Sequence, residues 1–337
     1  NFGMGVGFTN YDLIDETFNK DYLRNYTNFF PAAGFTYNYK SNHSLKINYN
    51  GSTTQPTINQ LQPLRNNNDK FNQYIGNPDL KPSFQNSVNL QHNGYNFIKD
   101  LWTYQSLNVS FTSNSFTNNI VIDTASGVKT TQPVNTDGNI NMFLWAGAGK
   151  QKIKKLNMGI FLGVNVNYNR FSNYLNNRKS TSNTTGAGLS IGLNKSKDKK
   201  YELSLNNDLN YNINTTTENS NNNHYLTNTV SANATVYYKK VWSISSDYQY
   251  YVRGKTSQND KGINNSLWNA KLQRTFKNNE FTVYVKVRDI LNQNIGVDRN
   301  FYGNTFTEVR NDRLKRYFMV GFAWDFKNKN KSSDSKK

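Results

Sequence analysis

Hydrophobic residues fall on every second position along almost the whole chain. The longest row runs through Met158, Ile160, Leu162, Val164, Val166 and Tyr168, and another runs through Phe318, Val320, Phe322, Trp324 and Phe326. Successive side chains of a β-strand point to opposite faces, so a period of two predicts strands with one apolar face. No helical period of 3.6 residues competes over a comparable length.

Strand length separates two architectures that both give this alternation. A soluble β-sandwich has strands of about 5–6 residues. Several rows here extend over ten residues or more, and a transmembrane strand needs about 9–11. The positions between the hydrophobic ones are mainly Asn, Ser, Thr, Gln, Lys and Gly, which suit a water-filled lumen. The pattern therefore predicts an all-β, antiparallel transmembrane β-barrel.

The predicted connections alternate between short and long. The short connections are residues 40–44, 93–100, 150–155, 195–200, 239–240 and 277–280. The long ones are residues 12–27, 54–82, 169–183, 214–223, 253–264 and 291–311, with 112–137 as a further excursion. Short turns on one rim and long loops on the other are typical of outer-membrane barrels, whose short turns are periplasmic. This count gives about fourteen crossings within residues 1–326, followed by a disordered, lysine-rich periplasmic tail at 327–337.

The composition is polar and aromatic at once. Only 35% of the residues are hydrophobic, yet the chain has 22 Tyr, 21 Phe and 5 Trp. A low apolar fraction favours disorder, but disordered chains are poor in aromatic residues. The net charge of +18 would suit a nucleic-acid partner. Because the basic residues are spread over the short turns, we expect them to meet anionic lipid headgroups or solvent instead, and we expect no nucleic acid.

Motifs for catalysis, metal binding or cofactor binding are lacking in the sequence. There is no cysteine, and His43, His92 and His224 share no metal-ligand spacing. Residues 146–150, "AGAGK", lack the spacing of a phosphate loop, and Asp12, Asp15 and Glu16 lack that of an EF-hand. We expect no enzyme activity, no metal and no cofactor. No apolar run is long enough for a transmembrane helix, and the chain opens in strand rhythm without a signal peptide, so we expect a C-terminal piece of a longer protein.

Residues 74–84, "YIGNPDLKPSF", carry a family resemblance. Asn77, Pro78, Asp79, Leu80, Lys81 and Pro82 match the "GNPxLKPE" segment of TonB-dependent receptors, with Ser83 in place of the usual Glu. In that family the segment links a long extracellular loop to the descending strand. Residues 286–296 and 311–326 resemble the C-terminal end of the same barrels. Over nearly its whole length the chain is similar to the Bacteroidota-type outer membrane β-barrel protein family.

The resemblance implies a larger protein than the residues alone predict. Family members carry a plug domain and a barrel of 22 strands. The chain would then be the C-terminal barrel portion, and a free-standing barrel of about fourteen strands is the alternative. The implied partners are outer-membrane lipid, the TonB complex through a plug absent from this chain, and a surface lipoprotein. Phe326 resembles the terminal aromatic residue that the barrel-assembly machinery recognises, although a lysine-rich tail follows it.

Three functions are compatible with these observations. The first is an outer-membrane TonB-dependent receptor for energy-coupled uptake of a siderophore, glycan, peptide or similar solute. The second is a non-transporting barrel that acts as a structural or assembly component, and the third is a soluble, Asn-rich β adhesin. The candidate ligand-binding residues are loop aromatics, which could equally belong to the interfacial girdle: Tyr11, Tyr22, Phe71, Tyr74, Phe301 and Tyr302. The expected location is the bacterial outer membrane, and the solute has no signature in the sequence.

Overall fold

The chain folds almost entirely into long β-strands. The computed structural model describes residues 1–15, 20–66, 69–217, 219–256, 262–276, 280–294, 296–302 and 305–325. The strands are β1 (Phe2–Asp15), β2 (Lys20–Lys40), β3 (His43–Thr54), β4 (Arg65–Asn66), β5 (Asn72–Ile75), β6 (Ser83–Asn96), β7 (Leu101–Ser113), β8 (Ser115–Ile122), β9 (Lys129–Thr136), β10 (Asn139–Ile153), β11 (Met158–Leu175), β12 (Arg178–Lys197), β13 (Tyr201–Thr216), β14 (Asn219–Tyr238), β15 (Trp242–Arg253), β16 (Ile263–Phe276), β17 (Phe281–Arg288), β18 (Val297–Tyr302), β19 (Thr305–Arg310) and β20 (Tyr317–Trp324). One short helix, α1 (Ile58–Leu61), lies between β3 and β4. In the described part of the chain, no helix is long and apolar enough to cross a membrane.

The long strands form an antiparallel meander, in which each long strand pairs with the next long strand along the chain. Its order is β1, β2, β3, β6, β7, β10, β11, β12, β13, β14, β15, β16, β17 and β20. These are fourteen strands, the number that the alternation predicts. Among the described residues, no ladder joins β20 to β1.

The register places apolar residues opposite one another across the meander and leaves the other face polar. One row of directly opposed residues contains Ile47, Leu90, Leu107, Leu144 and Val166. The neighbouring row on the other side of the sheet contains Asn48, Asn89, Asn108, Phe143 and Asn167. We call these two sides the apolar face and the polar face. Opposed residues share a face, so the two rows show that the predicted alternation is realised in three dimensions.

The distribution of exposure is the reverse of that in a soluble protein. Large apolar side chains on the apolar face are open, with Phe2 94%, Val320 79% and Phe318 71% exposed. Among the described residues, the buried hydrophobic side chains are only Leu61 and Leu80. An apolar surface of this extent needs a covering, and no second layer of the described chain supplies one. Hydrocarbon lipid is the covering that suits a band of outward apolar side chains on long strands.

The two rims differ as predicted, but three of the predicted long loops are wrong. Residues 12–27, 169–183 and 214–223 are mostly strand, since Asp15 opposes Lys20, Leu175 opposes Arg178 and Thr216 opposes Asn219. These strands continue as polar hairpins after the apolar alternation ends, because the partner strand still satisfies their backbone hydrogen bonds. Asn176 and Asn177 close one of them with φ of 49° and 64°, the left-handed conformation that two-residue hairpin turns require.

Three of the remaining long connections are folded segments, while residues 257–261 of the predicted loop at 253–264 lie outside the described residues. Residues 55–82 contain α1, β4 and β5, the excursion at 112–137 is the β8–β9 hairpin, and 291–311 contains the β18–β19 hairpin. All of them lie on the rim opposite the short turns. Together with the β1–β2 hairpin, they form the set of connections that we call the loop layer.

The last strand has the predicted faces. Phe318, Val320, Phe322 and Trp324 are exposed on the apolar face of β20, and each opposes a residue of β17. On the polar face, the ring of Tyr284 lies over Gly321, where a Cβ would collide with it. Phe326 and the tail at 327–337 lie outside the described residues.

Candidate functional site

The loop layer contains the buried apolar contacts that the strands lack. Helix α1 begins with a capping box, in which Thr57 and Gln60 bond to each other's backbone amides. The amide of Asn77 donates to the carbonyl of Gln60 at 2.6 Å, which ties the helix to the segment before β6. Leu61 and Leu80, 6% and 1% exposed, are buried in this segment together with Pro56. The connection at 55–82 is therefore a small folded unit.

The segment with the receptor-like motif is held from two sides. On one side Arg24 pairs with Asp79 at 2.8 Å, and the Tyr26 hydroxyl donates to the Leu80 carbonyl at 3.2 Å. Both Arg24 and Tyr26 belong to β2, so these contacts join the motif to the β1–β2 hairpin. The motif lies between β5 and β6, at the position where the resemblance predicts the junction of loop and strand.

On the other side the motif bonds to β9. The Asn77 side-chain amide donates to the Pro133 carbonyl at 3.0 Å. The Lys81 amide donates to Asn135 Oδ1 at 2.8 Å, and Asn135 Nδ2 donates back to the Lys81 carbonyl at 2.9 Å. The Asn77 Oδ1 also accepts from the Asp79 amide at 3.0 Å, which closes a local Asx turn. The role of the motif residues in this geometry is to position the loop between two hairpins.

Four of the six loop aromatics predicted as ligand residues have described side chains, and the structure places them in different settings. Tyr11 is half-buried and donates its hydroxyl to the Pro56 carbonyl at 2.8 Å. Burial, and to a smaller extent the neighbouring Tyr26, raises the pKa of the Tyr11 phenol. Burial also raises the pKa of Tyr74. These two rings are therefore partly engaged within the loop layer.

Phe71 is the most open of the four, with 64% of its surface exposed. Its backbone is fixed, since its carbonyl accepts from the Lys129 amide at 2.8 Å and β5 pairs in parallel with β9. Tyr22 is half-buried on β2. Phe301 and Tyr302 lie on β18, but their side chains are outside the described part of the structure. The contacts of Tyr11 and Phe71 thus lie on different segments of the loop layer, at Pro56 and at Lys129.

The β18–β19 hairpin carries a cluster of ion pairs. Glu308 accepts from Arg299 and Arg310, each at 2.6 Å, while Arg313 pairs with Asp298 at 3.1 Å. The hydrogen bond from Arg299, followed by that from Arg310, lowers the pKa of Glu308. Arg299 also donates to the Gly262 carbonyl at 2.6 Å, which anchors the hairpin to the β15–β16 connection. Nothing in the alternation of the sequence points to this cluster.

The polar face holds aromatic residues that the alternation does not predict there. The expectation that its positions are Asn, Ser, Thr, Gln, Lys and Gly is incomplete, because a cluster of rings lies on this face: Trp102, Tyr104, Phe143, Trp145 and Phe161. The signal available in the sequence is the stretch "NMFLWAG" at 141–147, which is apolar on both parities. Because consecutive apolar residues point to opposite faces of a strand, such a stretch indicates that the polar face carries aromatic residues at this place.

His43 and His92 both pack on the ring of Tyr39, with centroid distances of 5.5 Å and 6.0 Å. His43 Nδ1 lies 2.9 Å from the Ser41 carbonyl, and His92 Nε2 lies 2.7 Å from the Tyr39 hydroxyl. His92 Nδ1 also contacts Gln105 Oε1. Within the described ranges, no group of three or more His, Asp or Glu side chains is arranged to hold a metal ion.

Comparison with known families identifies the class of protein. The model of the outer membrane protein β-barrel family matches residues 2–324. The chain therefore belongs to this family, and its location is the bacterial outer membrane. A search of curated proteins finds no match. With the family established, the apolar face is the lipid side and the polar face is the lumen side of the strands.

Proposed function

We propose that the chain is the barrel portion of a TonB-dependent outer-membrane receptor that takes up a scarce solute. The observation that carries this proposal is the motif at residues 77–82. The motif matches the receptor family residue by residue up to Ser83, and it occupies the junction between loop and strand that the family places there. A buried leucine and bonds to two hairpins hold it in that position.

The loop layer supports a receptor role in a second way. The β1–β2 and β8–β9 hairpins are both bonded to the motif segment, and β8 also pairs in parallel with the end of β11. Loops joined in this way offer a preorganised surface at the extracellular rim, which lowers the entropy cost of binding a solute.

The partners expected from the resemblance remain part of the proposal. Outer-membrane lipid is the first, since Lys150 opposes Ile160 and Lys195 opposes Leu203 at the short-turn end of the apolar face. Lysines at this height are placed to meet anionic headgroups. The TonB complex, the barrel-assembly machinery and a surface lipoprotein are the others.

Cross-linking between TonB and the full-length polypeptide in living cells tests the transport role without knowledge of the solute. We expect an adduct that decreases when the protonmotive force is collapsed. An outer-membrane barrel that does not use TonB, expressed in the same strain, provides the control. If the full-length protein is folded in the outer membrane and gives no adduct, the proposal is wrong and the non-transporting, structural role replaces it.

A further inference from the structure

Five adjacent strands form a wall whose lumen side carries no charged residue between its two ends. The strands are β6, β7, β10, β11 and β12, and all their residues lie in the described ranges. Between Arg178 at the tip of the β11–β12 hairpin and the bulge of β10 at Gln151 and Lys152, register assigns to the lumen side only Asn, Gln, Ser, Thr, Gly, Leu and aromatic residues. The rest of the lumen side differs, because it includes charged residues on several strands: Glu202, Asp208, Asp247, Arg253, Lys271, Lys286 and Arg288.

The end of the wall near the loop layer contains a polar cavity. Its volume is about 400 Å³. Amide and hydroxyl side chains dominate the lining, which includes Gln85, Ser110, Thr112, Asn139, Asn141 and Asn169. Arg170 is the charged residue in the lining, and its guanidinium can donate to hydroxyl groups. Each amide side chain offers both donors and acceptors, and each hydroxyl can act as either. Such a lining matches a ligand that carries many neutral hydroxyl groups.

Below the cavity, aromatic rings continue along the wall toward the short-turn rim. Phe143 follows Asn141 on the lumen side of β10 and is 44% exposed. Trp145 comes next, with its ring 5.3 Å from that of Tyr104 and 6.2 Å from that of Phe161. Trp102 stacks on Phe161 at 5.9 Å. Tyr104, Trp145, Phe161 and Trp102 therefore form a connected aromatic track, and Phe143 lies on β10 between this track and the cavity.

Glycines hold these rings flat against the sheet. A Cβ at Gly149 would lie 2.8 Å from the Trp102 ring, and one at Gly192 would lie 2.7 Å from the Phe161 ring. Gly147 is covered by Trp145 in the same way. Since the space above each glycine is filled by a ring lying along the sheet, a ring face is turned toward the lumen. Ring faces bind the apolar faces of other cyclic groups by stacking.

We propose that this wall binds a neutral oligosaccharide, whose hydroxyls bond to the amides of the cavity while its sugar rings stack along the aromatic track. The charge pattern selects this ligand class. Along the aromatic track, between Asn141 and Gly149 of β10, the lumen side of the wall carries no charged residue. An ionic solute would lose its water there without a compensating charge, which is unfavourable. A purely apolar solute would leave the amides of the cavity unpaired. The inference rests on the proposed uptake function and names the solute class for it.

Calorimetric titration of the purified full-length protein tests this assignment. The probes are maltohexaose, cellohexaose and mannohexaose as neutral ligands, and hexagalacturonate as the anionic comparison. We expect at least one neutral hexasaccharide to bind and hexagalacturonate to bind at least about tenfold more weakly. Failure of all three neutral probes, or equal binding of the anionic one, would overturn the proposal.

Variants locate the binding on the wall. Phe143→Ala removes an open ring, so it is expected to weaken binding about tenfold and to leave the folded fraction unchanged. Trp145→Ala should weaken binding as well, and Trp268→Ala is the matched control because Trp268 lies on the lipid side opposite Tyr248. Equal losses for Trp145→Ala and Trp268→Ala would contradict the assignment.

Two further results separate this inference from the proposed function. If acrylamide in water cannot quench Trp145 in the full-length protein, another segment covers the track and the binding proposal is wrong. Sugar binding without a TonB adduct would retain the site and refute TonB-dependent uptake. A TonB adduct without sugar binding would support TonB-dependent uptake and refute the sugar-binding site.

Discussion

Truncation of Leu80 to alanine is expected to open the loop layer while the long strands stay intact. The Leu80 side chain is 1% exposed, in the segment that connects β5 to β6. The change removes three carbon groups at about 0.8 kcal/mol each, and the cavity left behind raises the loss to about 3 kcal/mol. Since about 1.4 kcal/mol is a factor of ten, the open fraction of the segment should rise about a hundredfold.

Limited trypsin digestion of the membrane-embedded, full-length protein measures this opening. Cleavage after Lys70 reports the open population when closing is faster than cleavage. The control is Ile58→Ala, since Ile58 lies in the same segment but is 61% exposed, and we expect its cleavage rate to stay within about threefold of the unmodified protein. Equal rates for the two variants would show that Leu80 does not hold the segment closed.

Three further changes test other parts of the structure. Val164→Arg places a charge on the lipid side and should lower the free energy of unfolding in a denaturant titration by about 2–4 kcal/mol. Asn165→Arg places the charge on the lumen side and should lower it much less. Similar losses for the two variants would contradict the assignment of faces. The lowered pKa of Glu308 means that its ion pairs stabilise the β18–β19 hairpin above the ordinary glutamate pKa of about 4.3 and are lost as the pH falls through the lower folded value. The protection of this hairpin against hydrogen exchange, measured relative to the intrinsic exchange rate at each pH, should therefore decrease in acid, and Glu308→Gln should remove that dependence. Asp79→Asn should change trypsin cleavage after Lys70 by less than about fivefold, because the Arg24–Asp79 pair is exposed; a larger change would show that the pair holds the motif.

The meander could be predicted from the sequence because its cause is periodic. In β11, Met158 through Tyr168 alternate without interruption, and Leu162, Val164 and Val166 oppose apolar residues of both β10 and β12. A one-residue slip would move every side chain to the other face, so one buried or lipid-covered face fixes the pairing. The same alternation predicts a strand that runs through Ile122, and the structure has strand β8 there.

The contacts of the loop layer could not be predicted because they have no period. The bonds between Asn135 and Lys81 join residues 54 positions apart, and neither residue lies in an apolar pattern. The alternation also predicts strands that are too short in the polar hairpins, because the apolar residues stop before the backbone pairing ends. Around Phe143 the residues at odd and at even positions are both apolar, so the alternation alone does not assign the ring to a face. The pairing of β10 with β7 and β11 places the ring on the lumen side.

The neighbour-to-neighbour order of the strands constrains how a chain of this kind can change length during evolution. Loss of one strand would reverse the direction of every later strand and carry their folded loops to the periplasmic rim. Loss of a hairpin with its connections preserves both the direction and the faces of the later strands, because two reversals cancel. The sheet can therefore gain or lose strands in units of one hairpin, while each remaining loop stays on its own side of the membrane.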